Sequence, residues 1–129
     1  MRGRMLVVAV LLATLWAEGG VAAQPLTPHV VGWEQYFAVT WETFERGGRP
    51  HLRGDVANRY GTPAGRVQLL VESLDTSGQI VDQRVEWLGG DVGPLSRRYF
   101  EVPASRSASS YRVRVYAFDF IQTATFQAP

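Results

Sequence analysis

From residue 31 onward, apolar and polar side chains alternate along this chain with a period of two. That period is the signature of half-buried β-strands, whose successive side chains point to opposite faces. Val31, Trp33, Phe37, Val39 and Trp41 share one parity, against Glu34, Tyr36, Thr40 and Glu42. Leu52, Gly54, Val56 and Asn58 alternate with Arg53, Asp55, Ala57 and Arg59. Val67, Leu69 and Val71 alternate with Gln68, Leu70 and Glu72. Val81, Val85 and Trp87 oppose Asp82, Arg84 and Glu86, and Phe100 with Val102 marks a short strand before Pro103. In the last strand Tyr111, Val113, Val115 and Ala117 face one way, and Arg112, Arg114, Tyr116 and Phe118 the other. No window of helical length carries a 3.6-residue apolar period.

Turn signals separate these runs. Residues 45–50 hold Gly47, Gly48 and Pro50, and residues 60–65 hold two glycines and Pro63. In residues 74–79 Asp75 can accept backbone N–H groups and Gly78 can take positive φ, as a hairpin requires. Residues 89–94 and 104–110 read as loops. Six or seven short strands without crossover helices predict an all-β, antiparallel sandwich, with a small barrel as the second choice.

The first 23 residues read differently. Arg2 and Arg4 precede an apolar run over residues 5–17 that only Thr14 interrupts. Glu18, two glycines and Val21-Ala22-Ala23 follow, the pattern of a cleaved signal peptide. The expected cut is after Ala23, with export to the periplasm or medium. The run is short of the ~20 apolar residues of a membrane span, so no stable membrane insertion is expected after cleavage. An extended lead-in over residues 24–30, carrying Pro25 and Pro28, then leads into a domain over residues 31–129.

The chain has 13 Lys+Arg against 12 Asp+Glu, and all thirteen are arginine. Loss of Arg2, Arg4 and Glu18 with the leader would leave the mature domain formally neutral. Neutrality argues against electrostatic binding of nucleic acid. With no cysteine, thiolate metal sites and cysteine nucleophiles are excluded, and with two histidines so is a three-histidine site. The absence of lysine removes Schiff-base chemistry.

Two resemblances follow from particular residues. Tyr111-Arg-Val-Arg-Val-Tyr-Ala117 resembles the F strand of fibronectin type III and related immunoglobulin-like domains, whose leading tyrosine often makes a corner hydrogen bond. Phe37-Ala-Val-Thr-Trp-Glu42 resembles their B strand, with Trp41 as the core tryptophan. Gly54-Asp-Val56-Ala-Asn58, the strand from Leu69 to Asp75, Gly78, and Gly93-Pro94 before Tyr99-Phe100 resemble bacterial exported domains of the FxLYD type. These resemblances imply an immunoglobulin/fibronectin type III-like sandwich serving as an accessory, adhesive or scaffolding module. They imply no catalytic residue and no cofactor.

The candidate sites are few. Arg53-Gly54-Asp55 matches an integrin-recognition tripeptide but falls inside an expected strand, so it reads as strand sequence. Arg84, Arg112, Arg114 and Tyr116 are expected on outward sheet faces and form the candidate partner surface for an envelope or secreted protein. Charge reversal at Arg112 and Arg114 is expected to abolish capture of that partner. Trp33, Trp41 and Trp87 share parity with apolar neighbours and read as core, which makes Trp41→Ala cost about 3–5 kcal/mol. Asp75, Asp82 and Asp91 lack the spacing of a calcium loop. Ser105, Ser107, Ser109 and Ser110 lack a nucleophile elbow. The expected function is a non-catalytic interaction module. A carbohydrate-binding module, with Trp33 or Tyr36 exposed, is the alternative, and a small hydrolase comes third.

Overall fold

The computed structural model describes residues 24–122, so the expected leader lies outside the described residues. Six strands follow a 3-10 turn at Trp33–Gln35: β1 (Phe37–Arg46), β2 (Arg49–Asn58), β3 (Ala64–Leu74), β4 (Ile80–Trp87), β5 (Arg97–Pro103) and β6 (Ser110–Phe120). They form two three-stranded sheets, ordered β1-β2-β5 and β4-β3-β6. Every pairing between these strands is antiparallel. There is no α-helix among the described residues. Phe37, Leu52, Val56, Phe100 and Val102 from the first sheet share one core with Val67, Leu69, Val71, Val113 and Val115 from the second. This two-layer arrangement is consistent with a β-sandwich.

The turns follow the local chemistry. β1 and β2 are joined by Gly47-Gly48 alone, with φ of 60° and 74°. Positive φ at both central residues is what a two-residue hairpin turn needs, and glycine adopts it without a Cβ clash. Asp75 Oδ1 accepts the N–H groups of Ser77 and Gln79, each at 2.9 Å, and Gly78 has φ 84°. Gly54 is required for a different reason. It lies opposite Trp41, and a Cβ there would meet the carbonyl oxygen of Thr40 at 1.8 Å.

Several parity expectations fail, each for an identifiable reason. Strand structure does not begin at Val31. Gly32 takes φ 85°, the chain makes a 3-10 turn, and Trp33 drops into the core while Val31 points to water. In the second sheet the β3–β6 register shifts twice between Gly65 and Leu69, and Arg66 takes φ 52°. Such bulges exchange the faces of the residues beyond them. Phe118 therefore turns inward, 4.8 Å from the ring of Phe37, instead of continuing the outward row of Arg112 and Arg114.

The tryptophans separate accordingly. Trp33 is only 9% exposed, but Trp41 is 37% and Trp87 64% exposed. Trp41 has core-side parity, yet β1 is an outer strand and loses cover beyond Val39. Trp87 pairs with Gln68, one residue out of step with core-facing Leu69, and so stands on the outer face with Val85. Trp33→Ala is expected to cost about 3–5 kcal/mol, and Trp41→Ala or Trp87→Ala about 1 kcal/mol or less. Thermal or denaturant unfolding checks this; the reverse ranking would contradict the placement of all three rings.

Candidate functional site

The outer face of the second sheet carries most of the chemistry outside the core. β3 contributes Leu70 and Glu72 to this face, and neither is exposed to solvent at all. A carboxylate without water needs full hydrogen bonding. Glu72 has it. Arg112 Nε donates to Oε1 at 2.7 Å, Arg114 donates from Nε to Oε1 and from Nη2 to Oε2 at 3.0 Å each, and Gln83 Nε2 donates to Oε2 at 2.9 Å. Burial pushes the Glu72 pKa up, but these donors favour the carboxylate more strongly, and the net displacement is downward.

The lead-in completes this face. Gln83 accepts the N–H of Leu26 at 2.8 Å and donates to the Leu26 carbonyl at 2.9 Å. Three residues later, the His29 N–H donates to the Tyr116 carbonyl at 2.8 Å, and the two rings lie 4.4 Å apart. Gln83 is on β4 and Tyr116 on β6, so residues 24–30 cross the sheet as a strap over β3.

This geometry reorganises the sequence-derived surface. Arg112, Arg114 and Tyr116 do share a face. The two arginines are committed to Glu72, and Tyr116 lies against the strap. Arg84 is not with them. It pairs with Val71, so it has the opposite parity from Arg112, which pairs with Glu72. It stays solvent-exposed because β4 is an edge strand, and its charge partner is Glu86 at 3.8 Å. Charge reversal at Arg112 and Arg114 would set acids around a buried carboxylate, so lost capture would report damage to the sheet and not a partner face. Glu72 itself was not legible as a site residue. The usable signal was its position directly after the apolar run Leu69-Leu70-Val71.

Other candidates resolve simply. Arg53-Gly54-Asp55 lies in β2, paired on both sides, with Arg53 on Glu42 at 2.8 Å. Asn58 is buried. Its amide donates to the Thr62 carbonyl at 2.8 Å and its Oδ1 accepts the Tyr60 N–H at 2.9 Å, which ties down the β2–β3 loop. The Tyr111 hydroxyl donates to the Ser105 carbonyl at the entry to β6. His51 Nδ1 lies 3.2 Å from the Arg49 carbonyl and the ring is beside Phe44. No group of three or more His, Cys, Asp or Glu side chains suited to a metal ion occurs among the described residues.

Trp41 and Tyr99 are exposed on the first sheet, and two further surfaces lie on the second. Along β4, Ile80, Val81 and Trp87 are exposed beside the free edge of the sheet. Next to Trp87, a hollow of about 230 Å³ is lined by His29, Arg66, Gln68, Ala117 and Asp119, with Arg66 and Asp119 paired at 3.2 Å. The chain matches no family model, no curated protein and no solved structure.

The Glu72 cluster makes a pH-dependent contribution. Its folded pKa is lowered, so its stabilisation is present above the ordinary carboxylate value and is lost as pH falls through the folded value. Glu72→Gln is expected to cost about 1–2 kcal/mol at neutral pH, because both arginines are partly exposed and rehydrate. Urea titrations across the acid range are expected to show a shallower acid-side loss in this variant. An unchanged slope would mean that Glu72 does not titrate as a paired carboxylate.

Proposed function

We propose that this chain is an exported, non-catalytic β-sandwich module of the immunoglobulin/fibronectin type III kind that binds another protein through the β4 side of its second sheet. The observation that carries the reading is an unpaired edge strand that bears exposed Ile80, Val81 and Trp87. Exposed sheet edges and apolar patches are the two features from which strand-addition interfaces are built. The fold assignment has its own support. Pairing of the second strand with the fifth, and of the third with the sixth, follows immunoglobulin-like order. The Tyr111–Ser105 hydrogen bond has the form of a tyrosine corner. The leader pattern ending at Ala23 supports export.

The test is a photo-crosslinking amino acid placed at Trp87 or, as a control on the outer face of the first sheet, at Tyr99, in the full chain expressed in its own cell. The expected result is one defined adduct from position 87 and none from position 99, on a chain that begins at Gln24. Equal adducts from both positions, or none from either, would remove the β4 side as the working surface.

The hollow beside Trp87 favours one second reading, carbohydrate binding. An exposed indole beside the amide of Gln68 and the Arg66–Asp119 pair offers a stacking face and hydroxyl partners in a space near the size of one sugar ring. Titration with oligosaccharides is expected to quench Trp87 fluorescence, and Gln68→Ala is expected to weaken the response about tenfold. No quenching across a broad glycan set excludes it.

A further inference from the structure

The edge of β4 has a charge pattern that selects its own copy. Leu88 N–H donates to the Val67 carbonyl at 2.9 Å. Hydrogen-bonding direction alternates along an antiparallel pair. Asp82, Arg84 and Glu86 therefore bond inward to β3, while Gln83, Val85 and Trp87 direct their N–H and C=O groups to the open side; Val81 is the extra residue of a bulge opposite Ser73 and Leu74. Between Asp82 and Trp87 the strand has no proline, no glycine and no register shift. The other edges are encumbered. β6 is bulged and takes the His29 N–H at Tyr116, β5 ends in Pro103, and β1 carries Glu42, Glu45 and Arg46.

We propose that β4 pairs antiparallel with β4 of a second copy about a two-fold axis at Val85, joining two three-stranded sheets into one of six. This rests on the interaction-module reading above and specifies its partner. Charge and the bulge decide the register. An axis at Arg84 would set Arg84 against its own copy and Asp82 against Glu86, opposing like charges directly. An axis at Val85 sets Arg84 against Glu86 of the second copy and Gln83 against Trp87, and symmetry makes each pair twice. Gln83 to Trp87 then overlap within the regular part of the strand. An axis at Gln83 also pairs opposite charges, Asp82 with Arg84, but it runs the pairing across the bulge at Val81. The chosen register forms about six new backbone hydrogen bonds. It also places exposed Trp87 of each copy beside Gln83 of the other.

The interface is one strand wide, so a dissociation constant in roughly the micromolar range is expected. Sedimentation velocity over a concentration series reads it directly. Arg84→Glu alone and Glu86→Arg alone each create two like-charge pairs and are expected to weaken the dimer at least about tenfold. The double variant Arg84→Glu/Glu86→Arg restores opposite charges and is expected to return to within about threefold of wild type. Circular dichroism confirms that each variant is folded. Because the described chain holds no cysteine, Val85→Cys provides an independent check: its thiol meets that of the second copy at this axis, and oxidation is expected to give a covalent dimer. A monomer at every concentration overturns the proposal, as does failure of the double variant to recover. Should the chain be monomeric while a crosslinker at position 87 captures a different protein, self-association falls and the interaction-module reading stands.

Discussion

From Leu69 to Ser73, strand β3 has no water-facing side. Leu69 and Val71 fill the core on one face, and Leu70 and Glu72 are equally shielded on the other. A carboxylate in that position cannot stay ionised without strong partners, because desolvation alone would push it toward the neutral form. Arg112 and Arg114 from β6 and Gln83 from β4 supply them, so one buried charge ties together all three strands of the sheet. The same Gln83 holds Leu26 and thereby anchors the strap. Much of what distinguishes the outer face of the second sheet follows from this requirement.

The arrangement divides the surface by use. The β6 side, rich in arginine, is occupied internally and its charges face inward to Glu72. The first sheet presents a solvated charged face in which Arg46 pairs with Glu101, Arg53 pairs with Glu42, and both guanidiniums lie over Phe44. Surface pairs of this type contribute little individually and suit a face that stays in water. On β4, exposed Ile80, Val81 and Trp87 occur together with open backbone groups. The proposed binding function follows this coincidence of two costs of exposure, not the density of charge.

Strand number, antiparallel pairing and the hairpin at Asp75–Gln79 were legible because each depends on neighbours in sequence. Alternation shows the strands, and Gly47-Gly48 and Asp75 with Gly78 mark turns through φ and local hydrogen bonds. The tryptophans were not legible in the same way. Trp41 and Trp87 alternate like core residues, but whether a parity faces the core depends on which strand is central and which is at an edge. Phe118 was misplaced because a bulge at Arg66 and its counterpart in β6 have no distinct sequence mark, and a single extra residue exchanges the two faces.

Period, turn chemistry and composition by themselves determined that this chain folds as short antiparallel strands and that thiolate and lysine chemistry are closed to it. Those properties are local or additive, so they can be read one residue at a time. Only the tertiary structure decided that Arg112 and Arg114 serve Glu72, that Arg84 lies on the opposite face, and that residues 24–30 strap the sheet. These depend on which strands become neighbours and in what register. A shift of one residue between β3 and either flanking strand would reverse every facing contact while leaving the alternation of the sequence unchanged.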